Sequence, residues 1–191
     1  MSVHLALLFV QLCFGGFHVA AKSTVALMHP LALACLRVAL ATPLLLGNAA
    51  WFDKRLVPPR RYMPHLALIG LLGVTINQLL YLVGVRMTTA TNAAILIPSI
   101  PAFAVLVALV LRVESVSRAR LLGVGLSMAG ALLLLRPQQL TVAAQGDTAL
   151  GNLLVLLNCL SYSGFLVLQR PLHQFLPWRT VIAWAFVFGS M

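Results

Sequence analysis

Charge is what this chain has least of. Of its 191 residues only 8% are Asp, Glu, Lys or Arg, where a soluble domain carries about a quarter. Three are acids: Asp53, Glu114 and Asp147. So few charges cannot clothe a water-facing surface, and an ordinary soluble globule is excluded. The cysteines are also few. Cys13, Cys35 and Cys159 each sit inside an apolar run, with no CxxC spacing and no histidine at ligand distance. A disulfide framework or a metal centre is not expected, and the three are read as small buried apolar side chains. HExxH, GxSxG and phosphate-loop motifs are all missing, and the acids are scattered and lie in or beside loops. An enzyme and a bound cofactor are therefore not expected.

What the chain has is apolar length. Hydrophobic residues make up 61% of it, with a mean hydropathy of +1.01, and a bilayer is the solvent that suits such a composition. A span needs about 20 mainly apolar residues. Six candidates meet or approach this: Val3–Ala21, Leu31–Ala49, His65–Val85, Ala90–Leu111, Leu121–Leu135 and Leu150–Leu168. A seventh begins at Thr180 and runs to Met191, too short to cross a hydrocarbon core of about 30 Å. The start of the chain lacks a basic n-region, so the first run is read as a span and not as a cleaved leader. The fold class expected is all-α, a polytopic transmembrane helix bundle.

The net charge of +10 does not imply nucleic acid, because the basic residues form no continuous face. They alternate between connections instead. Lys54, Arg55, Arg60 and Arg61 follow the second span, Arg112, Arg118 and Arg120 the fourth, and Arg170 and Arg179 the sixth. The opposite side carries Lys22, Arg86 and Arg136. The positive-inside rule then puts the richer side, and the N-terminus, in the cytoplasm. No targeting signal chooses between the plasma membrane and an endomembrane.

Polar residues inside the spans carry the functional reading, since each needs a partner in lipid. Gln11, Gly15, His18 and Lys22 form one stripe on the first span. Arg37 lies deep in the second. Thr75 and Gln78 share a face of the third, with Asn77 and Tyr81 on the face beside it. Thr88, Thr91, Asn92 and Ser99 line the fourth, and Asn158, Ser161 and Tyr162 the sixth. Interhelical hydrogen bonding accounts for any one of these, but two adjacent mid-membrane amides are costly without a use. Arg37 is either a structural ion pair, a snorkelling side chain, or a bias toward anions. His18 is either a satisfied buried histidine or a proton carrier. Pro98 and Pro101 interrupt the fourth span, which marks either a plain kink or a broken helix lining a transport site. Gly123 and Gly130, with Gly125, suit close packing of the fifth helix.

A short internal repeat is present. Phe14, Gly16, Phe17, Val19 and Lys22 correspond, at a constant offset of 148, to Tyr162, Gly164, Phe165, Val167 and Arg170. The copies enter from opposite sides, the layout of an inverted repeat. Chance similarity between two apolar helices is the competing explanation.

The stretch GLLGVTINQLLY (Gly70 to Tyr81), continuing as VGVRMTTATNAAILIPSIPAF through Phe103 and then to Glu114, resembles the EamA-like, plant-type exporters of the drug/metabolite transporter superfamily, the walls-are-thin-related or nodulin-21-like group. Asn77, Gln78, Tyr81, the Thr89-Ala90-Thr91 step, Pro98 and Glu114 carry the likeness. Gln11, Gly15, Gly16, Lys22 and Arg37 fit the first two helices, and Gly151 through Arg170 resembles the start of a second such domain. The resemblance implies a ten-helix transporter of small organic metabolites, made of two inverted five-helix units. The expected domains are 1–136 as the first unit, 137–149 as an extracytoplasmic linker and 150–191 as the incomplete start of the second. The expected site residues are Gln11, His18, Asn77, Gln78, Tyr81, Asn92 and Pro98 for solute, Arg37 and His18 for charge or coupling, and Glu114, Gly123 and Gly130 for structure. The expected partners are the bilayer and a small organic solute, with a homodimer left open. The alternative is a membrane protein that acts by assembly with itself or another chain and moves nothing.

Overall fold

The computed structural model describes residues 3–53, 56–113, 117, 119, 121–126, 129 and 147–191, leaving aside the side chains of residues 3, 6, 18 and 147. Every regular element among them is helical. Two long helices come first, α1 (Val3–Leu27) and α2 (Pro30–Phe52). Pro30 opens α2 at a position where its missing N–H costs nothing, and His29 accepts a hydrogen bond from the Leu31 amide. A composite rod follows: a 3-10 turn (Arg60–Tyr62), α3 (Met63–Gly70), a π-helical stretch (Leu71–Ile76) and α4 (Asn77–Met87). The next rod is α5 (Ala90–Leu96), a 3-10 turn (Ile97–Ser99) and α6 (Ile100–Val110). It ends with Arg112 at φ 52°, where the Val113 amide reaches the Ala108 carbonyl, so an arginine takes the left-handed place that glycine usually fills. After α7 (Asp147–Leu168) and a 3-10 turn (Arg170–Gln174) comes α8 (Trp178–Gly189).

Among the described residues five stretches are long and apolar enough to cross a membrane: Leu7–Leu27, Pro30–Phe52, Arg60–Met87, Ala90–Val110 and Thr148–Gln174. The chain is an integral membrane protein with a polytopic helical bundle. α1 runs on past the Ala21 expected as its end, because Lys22 finds partners within the protein. α7 begins at Asp147, inside the stretch expected as linker. α8, with 12 residues, is about 18 Å long. The fifth apolar run, Glu114 and Gly130 fall wholly or largely outside the described residues.

Glycine sets where the rods touch. A Cβ on Gly151 of α7 would lie 2.8 Å from backbone atoms of Met87 and Thr88, and one on Gly84 would lie 3.0 Å from the Gly151 carbonyl. α4 and α7 therefore meet backbone to backbone. On the other side α8 presses on the π stretch: a Cβ on Gly189 would stand 2.5 Å from the Val74 Cβ, and one on Gly70 2.5 Å from the Ala185 carbonyl. At Gly15, Gly16, Gly123 and Gly125 nothing lies within 4 Å, so the close packing expected at Gly123 is not made there among the described residues.

Two apolar clusters occupy the two ends of the bundle. One gathers Val25, Leu33, Tyr81, Leu82, Val85 and Val155. The other gathers Leu66, Ile69, Leu172, Leu176, Val181 and Ala185. Cys159 is buried in the first, as expected, whereas Cys13 and Cys35 are exposed. The expectation that all three are buried fails for those two, because they sit on outward faces of α1 and α2, where lipid is the natural neighbour of a thiol.

Candidate solute-binding cavity

Between the two clusters lies a cavity of about 350 Å³, walled by α1, α2, the π stretch with α4, the α5–α6 break, α7 and α8. Its polar wall is built from Arg37, Asn77, Gln78, Tyr81, Asn158 and Tyr162. Arg37 donates from Nη1 to Gln78 Oε1 at 2.7 Å, and its guanidinium lies 4.3 Å from the centroid of the Phe17 ring. No carboxylate among the described residues pairs with it. Among the described residues, one hydrogen bond to a neutral amide leaves the positive charge uncancelled and most of the five guanidinium N–H groups unused.

The backbone beneath this wall is irregular. The π stretch runs directly into Asn77, and π turns recur at functional sites because they re-aim the side chains after them. Two residues of α7 brace it: Ser161 Oγ donates to the Leu72 carbonyl at 2.7 Å, and Asn158 Nδ2 to the Asn77 carbonyl at 2.8 Å. Thr75 donates to the Gly189 carbonyl at 2.8 Å, which ties the same stretch to the end of α8. Thr75 and Ser161 are interhelical ties. Asn158 both ties and faces the cavity.

The apolar walls are aromatic. Phe14 and Phe17 come from α1, Tyr162 and Phe165 from α7. These are the positions matched by the offset of 148 in the sequence. Phe17 stacks on Tyr81 with ring centroids 5.6 Å apart, and Tyr162 stacks on Phe165 at the same separation. Phe165 also occupies the space over Gly73, where a Cβ would come within 2.4 Å of its ring.

The structure thus brings together Arg37, Asn77, Gln78 and Tyr81 of the expected site. It places the others elsewhere. Asn92 is buried in a network at the far end of α4, where its amide donates to Thr88 Oγ1 at 3.2 Å and the Thr88 hydroxyl donates to Asn152 Oδ1. Gln11 is exposed on α1 and does not line the cavity. His18 follows Phe17 on α1, with its side chain outside the description. Pro98 lies in the 3-10 turn with its ring exposed, while Ile97 and Ile100 on either side face the cavity. The break itself is as expected, and it is braced by α7: Ser163 Oγ donates to the Ile100 carbonyl at 2.9 Å. Lys22, placed by sequence on the polar stripe of α1, caps α4 instead. Its ammonium donates to the carbonyls of Val85 at 2.8 Å, Arg86 at 3.1 Å and Thr88, which the end of a helix leaves without intrahelical donors.

Phe14, Phe17 and Phe165 are cavity residues that polarity-based reasoning did not single out, whereas Asn158 and Tyr162 stand out by polarity in the sixth span but were not among the expected site residues. The signal that could have found the aromatics was the repeat, which pairs them.

Comparison with known proteins decides the family. Residues 1–136 match the EamA-like transporter family. The chain belongs to that family. Among curated relatives, Protein WALLS ARE THIN 1 of Arabidopsis thaliana is 29% identical over 99% of this chain and 57% of its own length. A WAT1-related protein of the same plant is 28% identical over 96% of this chain and 55% of its own. An uncharacterized transporter of Archaeoglobus fulgidus is 30% identical over 100% of this chain and 65% of its own. The chain thus spans little more than half the length of the plant relatives. No solved structure matches it at a significant level.

Proposed function

We propose that this EamA-family chain serves a secondary transporter, and that a small organic solute, favoured when anionic, binds in the cavity between α1, α4 and α7. The observation that carries this reading is the uncancelled Arg37 guanidinium, held by Gln78 and Phe17 at the wall of a 350 Å³ space. A half-buried cation with unused donors is costly in a membrane unless something is there to receive them. Asn77, Gln78 and Tyr162 add hydrogen-bonding groups aimed at the same space, and the aromatic pairs of α1 and α7 add flat apolar walls. A few convergent polar groups in a largely apolar hollow are the usual make-up of a small-molecule site. The alternation of basic connections supports a cytoplasmic N-terminus.

Uptake of radiolabelled small organic acids into proteoliposomes tests the reading. Replacing Asn77 and Gln78 together by Leu removes the amide wall and the partner of Arg37. Uptake is expected to fall at least about tenfold, the loss of one or two charge-linked hydrogen bonds. Unchanged uptake would sink the assignment.

A further inference from the structure

Asp53, which the sequence places beside a loop, has a side chain only 4% exposed. It stands one residue past the end of α2, and what buries it is α8. Oδ2 accepts from the Thr180 amide at 3.1 Å and from the Thr180 hydroxyl at 2.8 Å, while Oδ1 lies 3.6 Å from Arg179 Nη1. The Arg179 guanidinium also lies over the ring of Phe52, 4.8 Å from its centroid, and over that of Trp178 at 4.6 Å. An N-terminal amide of α8, which has no intrahelical acceptor, is thus capped by a carboxylate from a different helix, 127 residues away in sequence. The helix dipole adds to the attraction. Phe52 and Asp53, adjacent at the end of α2, hold α8 by its first turn. Trp184 adds a second tie from the same helix, donating to the Leu56 carbonyl at 2.7 Å.

α8 is a wall of the cavity through Ile182 and Phe186. Through Val181 and Ala185 it also completes the apolar cluster with Leu66, Ile69, Leu172 and Leu176. Leu66 and Ile69 precede the cavity residues Gly73 and Asn77 on their rod, and Leu172 and Leu176 follow Tyr162 and Phe165 on theirs. That cluster therefore lies between the cavity and the end of the bundle that carries Asp53. Whatever holds α8 in place holds this plug shut.

We propose that Asp53 is the pin of a latch between α2 and α8, and that its release from Thr180 and Arg179 opens the cavity toward the Asp53 end. The proposal rests on the cavity being a solute route, but its test needs no solute. Tyr162 faces the cavity from α7 and touches none of the latch, so Tyr162→Cys is the reporter, with Cys13, Cys35 and Cys159 changed to Ser. A membrane-impermeant maleimide is applied to each side of sealed vesicles in turn. With Asp53 intact, labelling from the Asp53 side is slow. Asp53→Ala raises that rate about tenfold, the size expected for losing one helix cap. It leaves the opposite side unchanged. Asp53→Asn keeps an acceptor for Thr180 but drops the charge facing Arg179, and falls between. If Asp53→Ala is not recovered as folded protein, Thr180→Val and Arg179→Gln each remove one bond of the latch and give a smaller one-sided rise. No rise in any of these variants, or an equal rise from both sides, overturns the proposal. Uptake that fails in the parent protein, with Tyr162 in place, while the reporter shows the one-sided rise would count against the solute reading and leave the latch standing.

Discussion

Arg37 on α2 and Gln78 on α4 are joined by a 2.7 Å hydrogen bond between residues 41 apart in sequence. The pair converts two polar side chains, each expensive in a membrane, into one positioned donor group at the cavity wall. Gln78 is then a positioning residue for the guanidinium as well as a lining one.

A double-mutant cycle reads that coupling. Arg37→Gln is expected to weaken binding of an organic anion by about ten- to a hundredfold, the range for a charge-assisted hydrogen bond. Gln78→Leu weakens it less. The two losses together fall short of their sum, with an interaction term of about 1 kcal/mol. Additive losses would mean that Gln78 does not act through Arg37.

Lys22 closes the end of α4 with three carbonyl contacts. Lys22→Met keeps the apolar stem and loses all three. It is expected to lower stability by about 1–3 kcal/mol in a detergent thermal melt, with Lys22→Arg intermediate. Equal melting points for Lys22→Met and the parent would contradict the capping role.

Glycines that look alike in sequence separate in the structure. Gly151→Ala places a methyl 2.8 Å from the backbone at Met87 and Thr88, and Gly123→Ala meets nothing within 4 Å among the described residues. Overpacking of the first kind costs about 1–3 kcal/mol, so the melting point falls for Gly151→Ala and holds or rises for Gly123→Ala. The reverse order would contradict the close approach of α4 and α7.

Asn158 ties α7 to the Asn77 carbonyl at 2.8 Å. Asn158→Leu removes that second hydrogen bond to a carbonyl of α4, a net loss of about 0.5–1.5 kcal/mol. Because Asn77 lines the cavity, affinity for solute falls along with the melting point. A drop in stability with unchanged affinity would make Asn158 a brace only.

Much of this was legible in the sequence, for a physical reason. Lipid makes every buried polar group conspicuous, so Arg37, Asn77, Gln78 and Tyr81 stand out in apolar runs and do meet at one cavity. The same logic misplaced Asn92, because polarity says that a residue needs a partner and not which one, and Thr88 was the partner. Phe14, Phe17 and Phe165 are aromatics among apolar residues and show no contrast; only their repeat spacing hinted at a shared role. The π stretch has no composition of its own. Asp53 read as a loop acid because its partner, Thr180, lies on a helix that only the fold brings near. Lys22 sits in register with the α1 stripe, but its long side chain reaches out to the end of α4.

The most direct test of the central claim is binding itself, read as ligand-induced thermal stabilisation of the purified protein against a panel of small organic acids, amines and neutral polyols. A ligand at a hundredfold excess over its Kd stabilises by about 2.7 kcal/mol, enough to raise the melting point clearly. The account predicts that at least one organic acid raises it, that the matching amine does not, and that the rise disappears in the Asn77→Leu, Gln78→Leu double variant. A rise of equal size in the double variant, or no rise with any acid, would contradict it.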